Sequence, residues 1–316
     1  MSSLLLYLTV ILVWGTTWLA ITFQLGEVDP LISVIYRFSS ASLILMFFSV
    51  LTRRPMRFSF KEHVWMAIQG ILLFSVGYWM VYIAEIRIAS GLVAVVTSSL
   101  IFMNILLSAL FLKSRISLEV VLGASLGIAG VILIFWPEIS GVSLRQGGMY
   151  GLLLSAAATV IYSLGNITSA RNQRQGLPVL QTNAWSMGYA AFVMLFIAIV
   201  TGKSFVFDWT FRYTASLIYL SVFGSVIAFG AYLTLIGRIG ADRAAYGPLV
   251  VPVIALTLSG FFEGYAWSGF SFAGIVLILA GNLLVLRMNQ ISVRRDSGHA
   301  MIASSRKRRR WLRGEA

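Results

Sequence analysis

The 316-residue sequence predicts an all-α integral membrane protein, with ten transmembrane helices arranged as two inverted five-helix repeats. Three observations carry this expectation. Hydrophobic residues make up 59% and charged residues only 11%, with a mean hydropathy of +0.88, whereas a soluble domain carries about 25% charged residues. Ten stretches approach the length of about 20 apolar residues that a bilayer-crossing helix needs. Finally, the chain matches itself at an offset of 151 residues.

The first span runs from Leu4 to Phe23. It starts too close to Met1 for a basic leader region and lacks a small-residue cleavage site, which predicts a retained helix rather than a signal peptide. The others cover 31–51, 64–84, 91–112, 116–136, 149–170, 179–200, 213–236, 244–262 and 267–286. The short loops decide orientation. Loops after even-numbered spans hold ten Lys/Arg (Arg53, Arg54, Arg57, Lys61, Lys113, Arg115, Arg171, Arg174, Arg238 and Arg243). Loops after odd-numbered spans hold four, Arg87, Arg145, Lys203 and Arg212. Both termini are therefore expected in the cytoplasm, with the chain in a bacterial-type inner (plasma) membrane.

Charge and residue usage exclude several classes. The chain has no cysteine and two histidines, His63 and His299, so no disulfide framework, thiolate nucleophile or metal site is expected. Of the net charge of +13, the tail from residue 287 onward supplies +7. Its run Arg306-Lys307-Arg308-Arg309-Arg310-Trp311 follows the last span. It reads as a disordered segment touching anionic lipid, worth about 1 kcal/mol per charge, and not as a nucleic-acid site. Gly202-Lys203-Ser204 imitates the end of a phosphate-binding loop, but Ile197 stands where glycine is required. No hydrolase, metalloprotease or dinucleotide motif is present. No cofactor is expected, and the chain is not read as an enzyme.

The self-match pairs Arg87, Ile88, Ala94, Leu107, Ser108, Phe111 and Ser117 with Arg238, Ile239, Ala245, Leu258, Ser259, Phe262 and Ser268. Gly123, Leu126, Ala129, Gly130 and Leu133 then pair with Gly274, Leu277, Ala280, Gly281 and Leu284, giving 12 identities in 47 positions. Because each unit holds an odd number of spans, the second copy enters the membrane inverted, the arrangement of many secondary transporters. The expected organisation is a first repeat over 1–136, a linker over 137–148, a second repeat over 149–287, and a basic cytoplasmic tail over 288–316. Pro137, Gly141, Gly147 and Gly148 mark the linker.

These features resemble the EamA-type ten-helix members of the drug/metabolite transporter superfamily. The resemblance rests on Trp14-Gly15-Thr16-Thr17-Trp18, on Arg37-Phe38, on the stretch from Ala89 to Ile134 ending in Gly123, Gly127 and Ala129-Gly130, and on Ala280-Gly281-Asn282. It covers roughly residues 4–287. The sequence departs from the family at Ile101-Phe102-Met103-Asn104, where a proline is common, and at Lys113-Ser114-Arg115, where Gly-Glu is common. Glu263-Gly264 inverts that pair in the second half. The resemblance implies alternating-access export of a small metabolite, amino-acid-like or aromatic. A proton-coupled drug antiporter and a metabolite importer or exchanger stay open beside it; an intramembrane enzyme lacks any nucleophile–base or metal constellation.

Candidate substrate-binding residues follow from what is expensive or polar at membrane depth. Arg37 lies seven residues from Pro30, roughly 10 Å along a helix. It either snorkels to the outer interface or lines the path, where it would grip a carboxylate bidentately. Trp14 with Trp18, and Tyr78 with Tyr82, are i, i+4 pairs that share a face; Tyr82, nearer the outer end, suits an external gate. Trp185 with Tyr189 has the same spacing and reads as interfacial packing. Thr17, Thr97, Ser98, Asn104, Tyr162, Asn166 and Tyr246 complete the candidate set, with Thr97 and Asn104 on one face. Gln69, Asn183 and Asn282 read as interhelical glue.

Gly247, Pro248 and Pro252 are expected to kink the ninth span and open backbone carbonyls to a cavity. Gly123, Gly127, Gly130, Gly274 and Gly281 are expected to let the fifth and tenth helices pack closely, within the chain or across a homodimer. The carboxylates Glu27, Asp29, Glu85, Glu119, Glu138, Asp208, Asp242 and Glu263 all fall in loops or at span ends. With no deep carboxylate to carry a proton, facilitated diffusion is the expectation. The partners expected are a small-molecule substrate and lipid.

Overall fold

The computed structural model describes residues 2–112, 118–134, 136, 147–239, 244, 250–281 and 283–284. Within them lie ten apolar helical segments: α1 Ser3–Thr22, α2 Pro30–Leu51, α3 Phe60–Glu85, α4 Ser90–Leu107, α5 Val121–Ile134, α6 Gly148–Arg174, α7 Val179–Val200, α8 Phe211–Ile239, α9 Val251–Phe262 and α10 Gly269–Gly281. No strand occurs among the described residues. A chain whose neighbours are lipid must satisfy every backbone donor internally, and continuous helices do so.

Short polar residues set the helix starts. Ser2 accepts from the Leu5 amide, and Asp29 accepts from the Leu31 amide ahead of Pro30. Ser59 and Glu62 form a reciprocal capping box at α3. Gly202, at φ 65°, turns the chain out of α7, a backbone region glycine enters without strain. The outer faces carry Leu43, Phe47, Phe192, Phe196 and Phe261, all more than 60% exposed, as lipid contact requires.

Two ends can be distinguished. The basic end carries Arg53, Arg54, Arg57, Lys61, Arg171 and Arg174, where α2 meets α3 and α6 meets α7. The far end carries Asp29, Glu85, Lys203 and Glu263, and there Lys203 pairs with Asp29 at 2.7 Å.

Helix neighbours obey a two-fold exchange of the halves. The α2–α7 and α4–α9 contacts map onto themselves. Contact of α3 with α6 is matched by α8 with α1, that of α3 with α7 by α8 with α2, and that of α4 with α6 by α9 with α1. α5 and α10 form the remaining self-paired contact. A Cβ placed on Gly130 would lie 2.6 Å from the Gly274 carbonyl oxygen, and one on Gly281 would strike the Gly123 carbonyl oxygen. The predicted glycines are thus used inside the chain, and Gly127 faces the Phe102 ring. Because each half holds five helices, the second runs opposite to the first.

Three helices are interrupted along their length: α3 at Ser75, between Phe74 and Val76, α4 at Ser98–Ser99, and α8 over a π-helical turn, Leu220–Ile227. α3 and α8 are counterparts, and their interruptions flank the same space. Gly247, Pro248, Tyr246 and Asn282 lie outside the described residues, as do Lys113, Arg115 and most of 137–148. Pro252 sits in the first turn of α9, and the stretch before it, where the kink is expected, lies outside the described residues. In that first turn its missing N–H would have no intrahelical acceptor anyway.

Candidate functional site

A central cavity of about 70 Å³ lies between α1, α2, α3, α4, α6 and α8. Eight of the predicted residues line it: Trp14, Thr17, Trp18, Arg37, Tyr78, Thr97, Tyr162 and Asn166. The rest of the wall is Ile21, Leu73, Leu100, Phe229 and Tyr232. Small-molecule pockets usually measure about 300–1,000 Å³, so this is a contracted cavity whose helices must part to admit a metabolite.

Arg37 does not snorkel; it is 1% exposed. Its Nε donates to Ser225 Oγ at 3.0 Å, and Ser221 Oγ donates to its backbone carbonyl at 3.3 Å. Both serines come from the π-helical turn of α8, whose wider winding also leaves the Gly224 carbonyl to accept from Trp14 Nε1 at 3.3 Å. A Cβ on Gly224 would press Thr17 at 3.0 Å and Arg37 Nη2 at 3.2 Å, so glycine is what lets α8 approach this closely. The guanidinium lies over the Tyr78 ring, 4.6 Å from its centroid, and 5.2 Å from the Phe38 ring. No ion pair to Arg37 exists among the described residues, and its Nη1 has no hydrogen-bond partner. The buried cation is thus held by a neutral hydroxyl and two ring faces, with Nη1 left unused.

Aromatic rings pack around the cavity. Trp14 meets Phe229 at 4.9 Å and Tyr232 at 5.0 Å; Tyr78 meets Tyr162 at 5.4 Å and Phe38 at 4.9 Å. Asn166 Nδ2 donates to Tyr232 Oη at 3.4 Å. Trp18 Nε1 is buried without a partner, a second donor available to a ligand.

Other predicted residues lie elsewhere. Tyr82 is buried outside the cavity and donates to Gln24 Oε1 at 2.6 Å, tying α3 to the turn that follows α1 near the far end. Ser98 Oγ donates locally to the Val95 carbonyl. Thr97 and Asn104 do not share a face, because the break at Ser98–Ser99 intervenes; Asn104 instead accepts from Ser163 Oγ at 2.7 Å. Gln69 reaches Asn183 and Asn172, joining α3, α7 and α6 toward the basic end.

Phe229 and Tyr232 were not foreseen, although the repeat carried a signal for one of them. Phe229 is the counterpart of Tyr78 at the offset of 151, nine residues upstream of where the matched stretch begins. Tyr162 and Asn166 stand 148 residues after Trp14 and Trp18, as Pro178 does after Pro30. Six of the thirteen lining residues are therefore pairs from corresponding positions in the two halves.

Glu85 corrects an expectation. Although it ends α3, it is 7% exposed, and neither carboxylate oxygen has a hydrogen-bond partner among the described residues. A buried carboxylate is present after all.

Ten membrane-length or near-membrane-length helices, a two-fold exchange of halves and a small cavity between them fit a multi-pass membrane transporter. The chain belongs to the EamA-like transporter family, whose pattern it matches over residues 1–136 and 149–287, each holding five of the ten apolar segments. It is similar to the inner membrane transporter YedA of Escherichia coli K12, 28% identical over 277 residues that cover 87% of each chain. It is also similar to a Salmonella typhimurium protein named a probable amino-acid metabolite efflux pump, 26% identical and covering 87% of this chain and 92% of that one. A solved crystal structure shares the fold at a TM-score of 0.69 and 21% identity, covering 90% of this chain and 96% of the other. The protein is a transporter of this family and not an enzyme.

Proposed function

We propose that this transporter exports small metabolites with an apolar or aromatic body and a carboxylate, amino acids and their relatives foremost, by alternating access. The observation that carries the reading is the unused Nη1 edge of Arg37, buried against Tyr78 at the wall of a cavity of rings. A carboxylate there would complete the guanidinium, while Trp14, Trp18, Phe229 and Tyr232 would enclose the body. The name of the Salmonella relative, a probable amino-acid metabolite efflux pump, supports this class.

A second hollow of about 470 Å³ lies toward the basic end between α1, α2, α7 and α8 and includes Arg54, Gln181 and Arg238 in its wall. It offers an approach from the side that the lysine and arginine distribution assigns to the cytoplasm, in an inner membrane with both termini inside. On this reading residues 137–148 link the halves, residues 288–316 form a basic cytoplasmic tail, and any homodimer uses a face other than the glycine seam.

The test is counterflow in proteoliposomes loaded with a panel of neutral and aromatic amino acids. Exchange of at least one carboxylate-bearing member, lost in Arg37→Ala, supports the reading. Exchange confined to cations, or intact in that variant, argues for another substrate class.

A further inference from the structure

At the far end, the flank formed by α1, α8 and α9 holds a groove of about 560 Å³ that shares no lining residue with the central cavity. Phe23 follows the last turn of α1, Arg212 lies in the first turn of α8, and Phe262 ends α9, so these three stand at its mouth. Thr16, Tyr219 and Leu258 lie deeper. Seven residues separate Thr16 from Phe23, and Arg212 from Tyr219, which is roughly 10 Å along each axis. The groove therefore runs inward along the helices from their far ends. Phe211 and Phe262 on its wall are 89% and 66% exposed, so it opens outward, toward lipid.

The interior of the groove has its polar groups already engaged. Thr16 Oγ1 and Tyr219 Oη share a hydrogen bond at 2.5 Å, and Ser216 Oγ donates to the Tyr213 carbonyl at 2.8 Å. The rest of the wall below the mouth is aliphatic and aromatic. The mouth is different. Arg212 is exposed, and its guanidinium lies 4.6 Å from the centroid of the Phe23 ring, an attraction that holds it at the entrance. It has no ion pair among the described residues: Lys203 takes Asp29, and Asp208 accepts from the Thr210 amide and hydroxyl. Trp209, three residues before Arg212, is 85% exposed, as in the aromatic belts that sit at headgroup level. An unpaired cation thus stands at headgroup depth above an apolar slot.

We propose that this groove binds one phospholipid, with its phosphodiester on Arg212 and one acyl chain laid in the slot down to the Thr16–Tyr219 bond. A guanidinium meets two phosphate oxygens with parallel N–H groups, a geometry that suits this headgroup. The chain alone cannot select the site, because bulk lipid is as apolar as the groove and moving between them yields no hydrophobic gain. Affinity above that of bulk lipid must come from the headgroup end, and Arg212 is the group placed there. The bound chain packs against α1 and α8, the helices that also supply Trp14, Trp18 and Phe229 to the central cavity. The site is independent of what the cavity carries.

The test is native mass spectrometry of the full chain in a neutral detergent, titrated with phosphatidylglycerol or with the diacylglycerol that lacks its phosphate. One phosphatidylglycerol should bind more tightly than any that follow, and about tenfold or more ahead of diacylglycerol, the scale of a charge-assisted contact. Arg212→Gln should bring the phospholipid down to the diacylglycerol level. Arg57→Gln removes the same charge from the opposite end and should leave the tight site as it is; both arginines are exposed, so neither change disturbs the core. Ala215→Trp fills the slot and should remove the tight site with Arg212 still in place. Equal retention of phosphatidylglycerol in the native and Arg212→Gln proteins overturns the proposal. So does an equal fall in Arg57→Gln, or a tight site that survives Ala215→Trp.

Discussion

Replacing Arg37 by lysine keeps the positive charge and removes the planar fork, so it separates charge from geometry. In the structure the guanidinium does three things at once: Nε holds Ser225 Oγ at 3.0 Å, the plane rests 4.6 Å from the Tyr78 centroid, and Nη1 stays free. A lysine ammonium is a point donor on a single stem and cannot hold Ser225 while meeting a carboxylate side-on. A hydrogen bond to a charged group is worth about 1.5–3 kcal/mol, so losing one arm of a bidentate contact should cost a carboxylate substrate about 2 kcal/mol. That is roughly 30-fold in affinity at 1.4 kcal/mol per tenfold. The methyl ester of the same substrate carries no charge for the fork to grip and should change by no more than about threefold, under 1 kcal/mol. The assay is competition by acid and ester against counterflow of the labelled acid, in proteoliposomes of native and Arg37→Lys protein. Equal weakening of acid and ester would refute the reasoning, because it would mean that Arg37 holds the cavity wall together without reading the carboxylate.

Three further outcomes follow from the packing. Tyr78→Ala removes a ring that touches Arg37, Phe38 and Tyr162; substrate affinity should fall by about 1–3 kcal/mol, read from the same competition assay. Gly130→Ala puts a Cβ 2.6 Å from the Gly274 carbonyl oxygen and 2.7 Å from Ile278 Cγ1. Since backbone must retreat, the detergent-solubilised protein should lose about 1–3 kcal/mol of stability, visible as a lower thermal midpoint with little change in substrate specificity. Cysteines at Arg54 and Ser204, both exposed and at opposite ends, should react with an impermeant maleimide from the cytoplasmic and external sides respectively; labelling of both from one side contradicts the charge-based orientation.

The membrane fold was legible because lipid imposes one rule on every span, and apolar length reports it. The cavity was legible where a residue is costly at depth wherever it points: Arg37, Trp14, Trp18, Tyr78 and Asn166 stood out for that reason. Phe229 was silent because phenylalanine is unremarkable in lipid, and only its correspondence with Tyr78 through the repeat distinguishes it. The shared face expected of Thr97 and Asn104 failed because helical spacing assumes an unbroken helix, and Ser98–Ser99 breaks α4 between them. Glu85 was misjudged on different grounds. Its place at a span end does not reveal how deeply neighbouring helices cover it, and in the fold it is buried.

The central claim, a cavity at the junction of the halves that carries a carboxylate-bearing metabolite across the membrane, is tested most directly by substrate protection at Thr97. A cysteine placed there lines the same cavity as Arg37 and is the chain's sole thiol. Its alkylation rate should fall in the presence of any panel amino acid that also shows counterflow, and that protection should vanish in the Thr97→Cys, Arg37→Ala double variant. Counterflow of a panel member without any protection at Thr97 would place the transport path elsewhere and contradict the account.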